Sequence, residues 1–390
     1  MKAHTREAAR LACASLALSM LLSATASFAA DEQALLPPLK TISTIASTVP
    51  GNGDVNPYGM AQVRRTVGNL RAGHILISNF NDSTNLQGTG TTIVDVAPDG
   101  HVSLFATLNA TTLPGPCPGG VGLTTALVVL EQGWVIVGSL PTSDGTSATA
   151  QPGCLIVLDS LGNAVETFYG SLINGPWDMT AFDGEHEAKL FVTNVLNGTL
   201  AAGGQVVHGG TVTRLDLKVA DTAMPVLESI TVIASGFAER TDPVALVIGP
   251  TGVGLHAACA SDRDDCGEQG AEHRDGALLY VADTLNNRIA VIDHPLGRTT
   301  SAGTGHTLSA GGSLNAPLGL IVAPDGHVLT VNGGDGFITE ITPGGAQVAK
   351  MLLDSIGSPP GNGALFGLVY EPGHGIYFVD DNTSTVNLLH

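Results

Sequence analysis

The chain has 390 residues and a formal net charge of −19, with 35 acidic against 16 Lys and Arg residues. Such a surface repels phosphate backbones and anionic bilayers, so nucleic acid is excluded as a partner and adhesion to a charged membrane is disfavoured. Only 13% of residues are charged and 4% aromatic, while 50 are glycine; this composition lacks long helical patterns and points to short strands joined by frequent turns.

The first segment, 1–30, reads as a secretory signal peptide. Lys2, Arg6 and Arg10 form a basic start, Leu11 to Leu22 is mostly apolar, and the small residues near Ala29 and Ala30 offer a cleavage site. The apolar part is too short to span a bilayer. Cys13 sits at the start of the apolar run, with Arg10 where a lipobox needs Leu, so lipidation is not expected. Loss of this segment would take the net charge to about −21. The expected location is the periplasm or the extracellular medium. No later run is long and apolar enough to insert into a membrane.

Residues 31–390 are expected to form one domain. "LKTISTIAST" (39–48) alternates like an outer strand. Six copies of a four-strand phrase follow. The first runs from "NPYGMAQVRR" to "HVSLFATL", the second from "TTALVVLEQG" to "NAVETFYG", and the third from "GPWDMTAFDG" to "SITVIASG". The fourth is read as starting at "DPVALVIGPTG" (242–252) and ending in a poorer outer strand near 299–308. The fifth spans 316–353. The sixth, from "ALFGLVYEPG" to "STVNLLH", stops one strand short. Asp-Gly and Gly-Gly connections supply the backbone freedom that tight hairpins require. Four antiparallel strands in a meander make one propeller blade. The prediction is an all-β, six-bladed β-propeller in which 39–48 completes the last blade, removing an open edge.

"LYVADTLNNRIAVID" (278–292) resembles the NHL repeat: an apolar-Tyr-Val-Ala-Asp strand, then Asn-x-Arg-Ile and a second apolar strand. The resemblance is close in the fourth and fifth copies and looser elsewhere, and it covers about 40 to 390. NHL proteins are β-propellers, commonly six-bladed, and their fold hosts scaffolds, binders, lactonases and lyases alike. The lactonase and regucalcin-like propellers carry a Pro-Asn-Asp motif whose Asn binds metal. The matching place here reads Pro176-Trp177-Asp178, so the ligand Asn is replaced by Trp177.

Four cysteines lie beyond residue 30: Cys117, Cys154, Cys259 and Cys266. An even number in an exported chain predicts disulfides, with three pairings possible. Proximity in sequence favours Cys117–Cys154 and Cys259–Cys266.

The second strands end at Asn79, Ser139, Asn194, Asp283, Asn332 and Asp380. Turn capping by these short polar side chains is the expected role. The leading residues of the first strands face one mouth of a propeller's channel and are read here as Asn56, Tyr58, Asp178, Asp242, Asn315 and Phe366. Together with Trp177 they are the candidate ligand-binding set. If a metal binds, Asp178 and Asp242 are its candidate ligands, and such oxygens suit calcium. The insertion 256–276, rich in acids and holding His256 and His273, is a candidate recognition loop. Nucleophile-elbow, zincin, P-loop and dinucleotide fingerprints are absent from the sequence. The leading functional expectation is an exported binding scaffold for a protein, glycan or small molecule. The alternative is a metal-dependent enzyme of lactonase or lyase type, with its site at the channel mouth.

Overall fold

The structure is a computed structural model that describes residues 34–220, 223–257 and 276–390. The expected signal peptide, the Cys259–Cys266 pair and most of the 256–276 insertion lie outside the described residues. The local rule that builds the fold is visible at Pro98-Asp99-Gly100 and again at Pro324-Asp325-Gly326. In both turns the Asp carboxylate accepts the backbone N–H two residues on (His101, 3.0 Å; His327, 3.1 Å). The glycine takes a left-handed conformation (φ +84° and +86°) that a side chain would resist.

Strand β1 (Ile42–Ser47) stands apart from the first blade, which is β2 (Val55–Gln62), β3 (Ile75–Asn81), β4 (Thr92–Val96) and β5 (Val102–Thr107). The second blade is β6 (Leu123–Val129), β7 (Val135–Ser139), β8 (Leu155–Leu158) and β9 (Ala164–Phe168). The third is β10 (Pro176–Asp183), β11 (Glu187–Asn194), β12 (Val207–Ala220) and the long β13 (Ala223–Asp242), which turns back as β14 (Leu246–Ile248). The fourth is β15 (Pro250–His256), β16 (Leu278–Asp283), β17 (Arg288–Asp293) and β18 (His306–Ala310). The fifth is β19 (Pro317–Val322), β20 (Val328–Asn332), β21 (Phe337–Ile341) and β22 (Gln347–Leu352). The sixth is β23 (Leu365–Glu371), β24 (Gly375–Asp380) and β25 (Thr385–Leu389), completed by β1.

The six-bladed propeller and its closure are as the sequence predicts. β1 pairs antiparallel with β25 from Ile42↔Leu389 to Ser47↔Thr385. Just before β1, the buried Glu340 carboxylate accepts the N–H groups of Leu35 (2.6 Å) and Leu36 (2.9 Å) and pairs with buried His327 (2.6 Å). The entering chain is therefore fastened to the fifth blade and paired with the sixth. The apolar core follows the same ring. One cluster fills each seam between neighbouring blades, the largest between the sixth and first. A disulfide joins Cys117 and Cys154 (Cα atoms 5.1 Å apart), as proximity favoured.

Two boundaries differ from the sequence reading. The fourth blade starts at Pro250, not at Asp242, because 242–248 is the return hairpin of the third blade's outer strand. Its outer strand lies at His306–Ala310, at the end of the expected 299–308 window.

Candidate functional site

The six inner strands share one register. Pro57, Leu123, Pro176, Pro250, Pro317 and Leu365 stand opposite Asn79, Ser139, Asn194, Asp283, Asn332 and Asp380 respectively, and a bulge follows each pairing. The polar ring pins the chain's entry to the inner strands. Ser139, Asn194 and Asn332 accept the N–H groups of Gly122, Asn174 and Asn315 at 2.9–3.1 Å. Asp283 instead pairs with Arg288 (2.9 Å) and Asn286 in its own loop. The Asp283 contacts are the expected turn chemistry, whereas the bonds to Gly122, Asn174 and Asn315 reach 17–20 residues back along the chain.

One residue further along, the layer is Tyr58, Thr124, Trp177, Thr251, Leu318 and Phe366, each at most 4% exposed. Tyr58 stacks on Phe366 (3.8 Å between centroids) and on Phe80 (4.5 Å), and Trp177 tilts against Phe366 (6.3 Å). The β13–β14 hairpin packs here: Trp177 Nε1 donates to Val247 O (3.2 Å), and Leu246 is buried with a left-handed φ of +62°. The residual cavity, lined by Tyr58, Trp177 and Leu246 among others, is about 10 Å³, room for roughly one water. This mouth of the ring is a packed plug.

The next layer is Gly59, Thr125, Asp178, Gly252, Gly319 and Gly367. A Cβ on Gly252, Gly319 or Gly367 would lie 2.1, 1.7 or 2.4 Å from a carbonyl oxygen of the following blade, so close approach of backbones requires glycine here. Asp178 and Thr125 are the two side chains this layer presents. Beyond it runs an axial channel of about 750 Å³, lined by residues of all six inner strands and reaching exposed Arg64, Pro324 and Pro372 at its far rim. The channel is therefore blind at the plugged mouth and open at the other face.

Asp178 lines the blind end. Its Oδ2 accepts the N–H of Val253 on the neighbouring blade (2.9 Å). Burial pushes its pKa up to about 7, against the pull of the Val253 and Met179 N–H groups. Thr125, one blade back, is buried with no partner for its hydroxyl.

The other candidates divide between settings. Tyr58, Trp177 and Phe366 come together in the plug. The Tyr58 hydroxyl is buried beside Asn56, and burial, reinforced by Asp381, lifts its pKa well above the usual tyrosine value. Asn56 is buried in a left-handed conformation (φ +62°) with an unpartnered Oδ1. Asn315 is exposed and donates to Asp335 (2.9 Å) in the β20–β21 turn. Asp242 does not lead an inner strand; it caps the β13–β14 turn, accepting from Val244 (2.9 Å) and Ala245 (3.1 Å) and pairing with Arg240 (2.9 Å).

Calcium finds a poor donor set at this mouth. Trp177 stands where the lactonase pattern has its ligand, and its indole N–H is a donor already given to Val247. Among the described residues, no three His, Cys, Asp or Glu side chains gather as a metal would need. The sequence reading overlooked Thr125, whose blade matches the repeat loosely. It also overlooked Asp381, which burial and neighbouring Asp380 push up to about 7; the doublet Asp380-Asp381 at a second-strand end was its only signal.

No protein-family model matches the chain, and no curated protein matches it. Solved structures do. A gluconolactonase from Xanthomonas campestris is similar at 12% identity and a TM-score of 0.51, covering 92% of each chain. A luciferin-regenerating enzyme is similar at 10% identity and 0.51, over 89% of this chain and 94% of that one. A calcium-binding regucalcin from Agrobacterium tumefaciens reaches 0.48 at 10% identity, over 88% and 94%. The likeness to the first two is one of fold alone.

Proposed function

We infer that this protein binds a small molecule in its axial channel, with Asp178 and Thr125 as the polar contacts at the closed end. The observation that carries the reading is a channel of about 750 Å³, within the usual size of ligand pockets, with one buried carboxyl at its blind end. A single deep concavity with a perturbed titratable residue at its floor is a usual description of such a site. The reading narrows the range of protein, glycan and small-molecule ligands to the last. Export to the periplasm or beyond is proposed from the 1–30 pattern, and the Cys117–Cys154 disulfide is consistent with an oxidising compartment.

The enzyme reading keeps one supporting observation. A carboxyl held near 7 has the protonation behaviour of a general acid or base. The gluconolactonase likeness adds no residue to it. Asp178 and Asp242 sit in separate settings, and no step through a metal is derived.

The test is a thermal-shift screen of small molecules on the purified protein and on Thr180→Trp. Thr180 is half-buried and lines the channel, so a large ring there would fill it. Hits that stabilise the wild type and not the variant support the channel. Hits that stabilise both equally place the ligand elsewhere.

A further inference from the structure

The channel's charge is one-sided. Its lining holds one cationic side chain, Arg64, against the four carboxyls of Glu131, Asp178, Asp183 and Glu371. The cation is exposed at the rim, whereas Asp178 stands at the blind end, 7% exposed. The chain as a whole adds a net −19 to the same sign. Above about pH 7 an anion entering this channel would meet a carboxylate at its floor, in surroundings where like charges repel strongly.

The floor also has the right acceptors for a cation with several donors. Val253 N–H engages Asp178 Oδ2 and the Met179 N–H also acts on the carboxyl, whose remaining lone pairs are left to offer. Thr125, 4% exposed, lines both this end and the plug cavity, and its buried hydroxyl is without a partner. An ammonium group carries three N–H donors and no acceptor, which matches this pair. Leu127, Val253, Leu320 and Leu368 add apolar wall along the channel. From Asp178 to Asp183 the strand rises roughly 16 Å, so an extended body of several carbons fits between floor and rim.

We propose that the channel's ligand is an elongated primary amine, its ammonium seated on Asp178 and Thr125 and its apolar body lying along the channel toward the open face. The proposal rests on the channel reading and adds the chemical class. Burial of an unpaired carboxylate is costly, and a bound ammonium removes that cost. A neutral isostere has no such gain, and an anionic one adds repulsion.

The experiment is isothermal titration calorimetry on the full chain with phenylbutylamine, phenylbutanol and phenylbutyrate, which share a body and differ in the head group. The wild type is expected to bind the amine at least about tenfold more tightly than the alcohol and to give no heat with the carboxylate. Asp178→Asn keeps an oxygen for Val253 and should cost the amine far more than the alcohol, bringing the two affinities together while the alcohol still binds. That retained binding also reports that the variant is folded. Thr180→Trp should abolish both. Equal binding of amine and alcohol to the wild type, blocked by Thr180→Trp, would overturn the amine and leave the channel standing. Amine binding that survives Thr180→Trp would overturn both readings. No heat with any of the three would overturn the amine proposal.

Discussion

Asp178 shows how a single side chain can serve two ends. Four of the equivalent positions are glycines pressed against the next blade; Asp178 crosses the same seam with its carboxylate, bonding Val253. It joins a set of buried acids: burial pushes Asp178, Glu239 and Asp381 to about 7 and Asp380 to about 6. Unfolded carboxyls titrate near 4, so these groups bind more protons folded than unfolded between those values. Their contribution is complete below about pH 4 and is lost as pH rises toward 7. Asp216 works in the opposite sense, held low by Ser229, Lys189 and Arg214 despite its burial, and its contribution is lost as pH falls. Asp82 and Asp144 are held low as well, but lowered groups titrate below the ordinary carboxylate range, so between pH 5 and 8 the four raised groups decide and thermal unfolding should show a higher melting temperature near 5 than near 8. Asp178→Asn should flatten that slope and raise stability near pH 8 by a few kcal/mol at most; an unchanged slope would contradict the assignment. At the plug, Trp177→Phe keeps a ring beside Phe366 but leaves the buried Val247 carbonyl without its donor. A loss of about 1–3 kcal/mol in denaturant unfolding is expected.

Strands were readable from the sequence wherever side chains alternate and a turn residue follows. The exception is instructive. Inner strand β15 reads Pro-Thr-Gly-Val-Gly-Leu-His, and Gly252 is there because a Cβ would strike the Leu318 carbonyl. Packing against the next blade removed the very side chains that mark a strand, and the apolar Ala245–Ile248 run nearby took its place in the reading. Closure by β1 was legible because its alternation and the missing sixth-blade strand pointed to each other. The fastening upstream of β1 was not, since Glu340 lies 304 residues from Leu36. Glu340→Ala would leave His327 and two N–H groups without that carboxylate. Chemical denaturation should register a loss of about 3–5 kcal/mol, as for a broken buried pair; a loss under about 1 kcal/mol would show that β1 pairing alone holds the terminus.

For the molecule as a whole, the ring's geometry decides which mouth is available, and that was hidden from the sequence. Position in the repeat identified Tyr58, Trp177 and Phe366 as neighbours around one opening, but their mutual stacking and the cover supplied by the β13–β14 hairpin are tertiary events without a local signature. The same opening that sequence logic marked as the ligand mouth is plugged, and the accessible volume lies on the other side of Asp178. The Cys117–Cys154 link closes 37 residues across the second blade. Cys154→Ser should therefore lower stability by about 4 kcal/mol in the loop-entropy account, read as a fall in the denaturation midpoint. The most direct test of the central claim is a crystal structure of the protein soaked with phenylbutylamine. The account predicts density on the ring axis between the six inner strands, with the nitrogen at Asp178 and the plug intact. Density at the Tyr58–Trp177 mouth or on an outer blade face, with the channel empty, would contradict it.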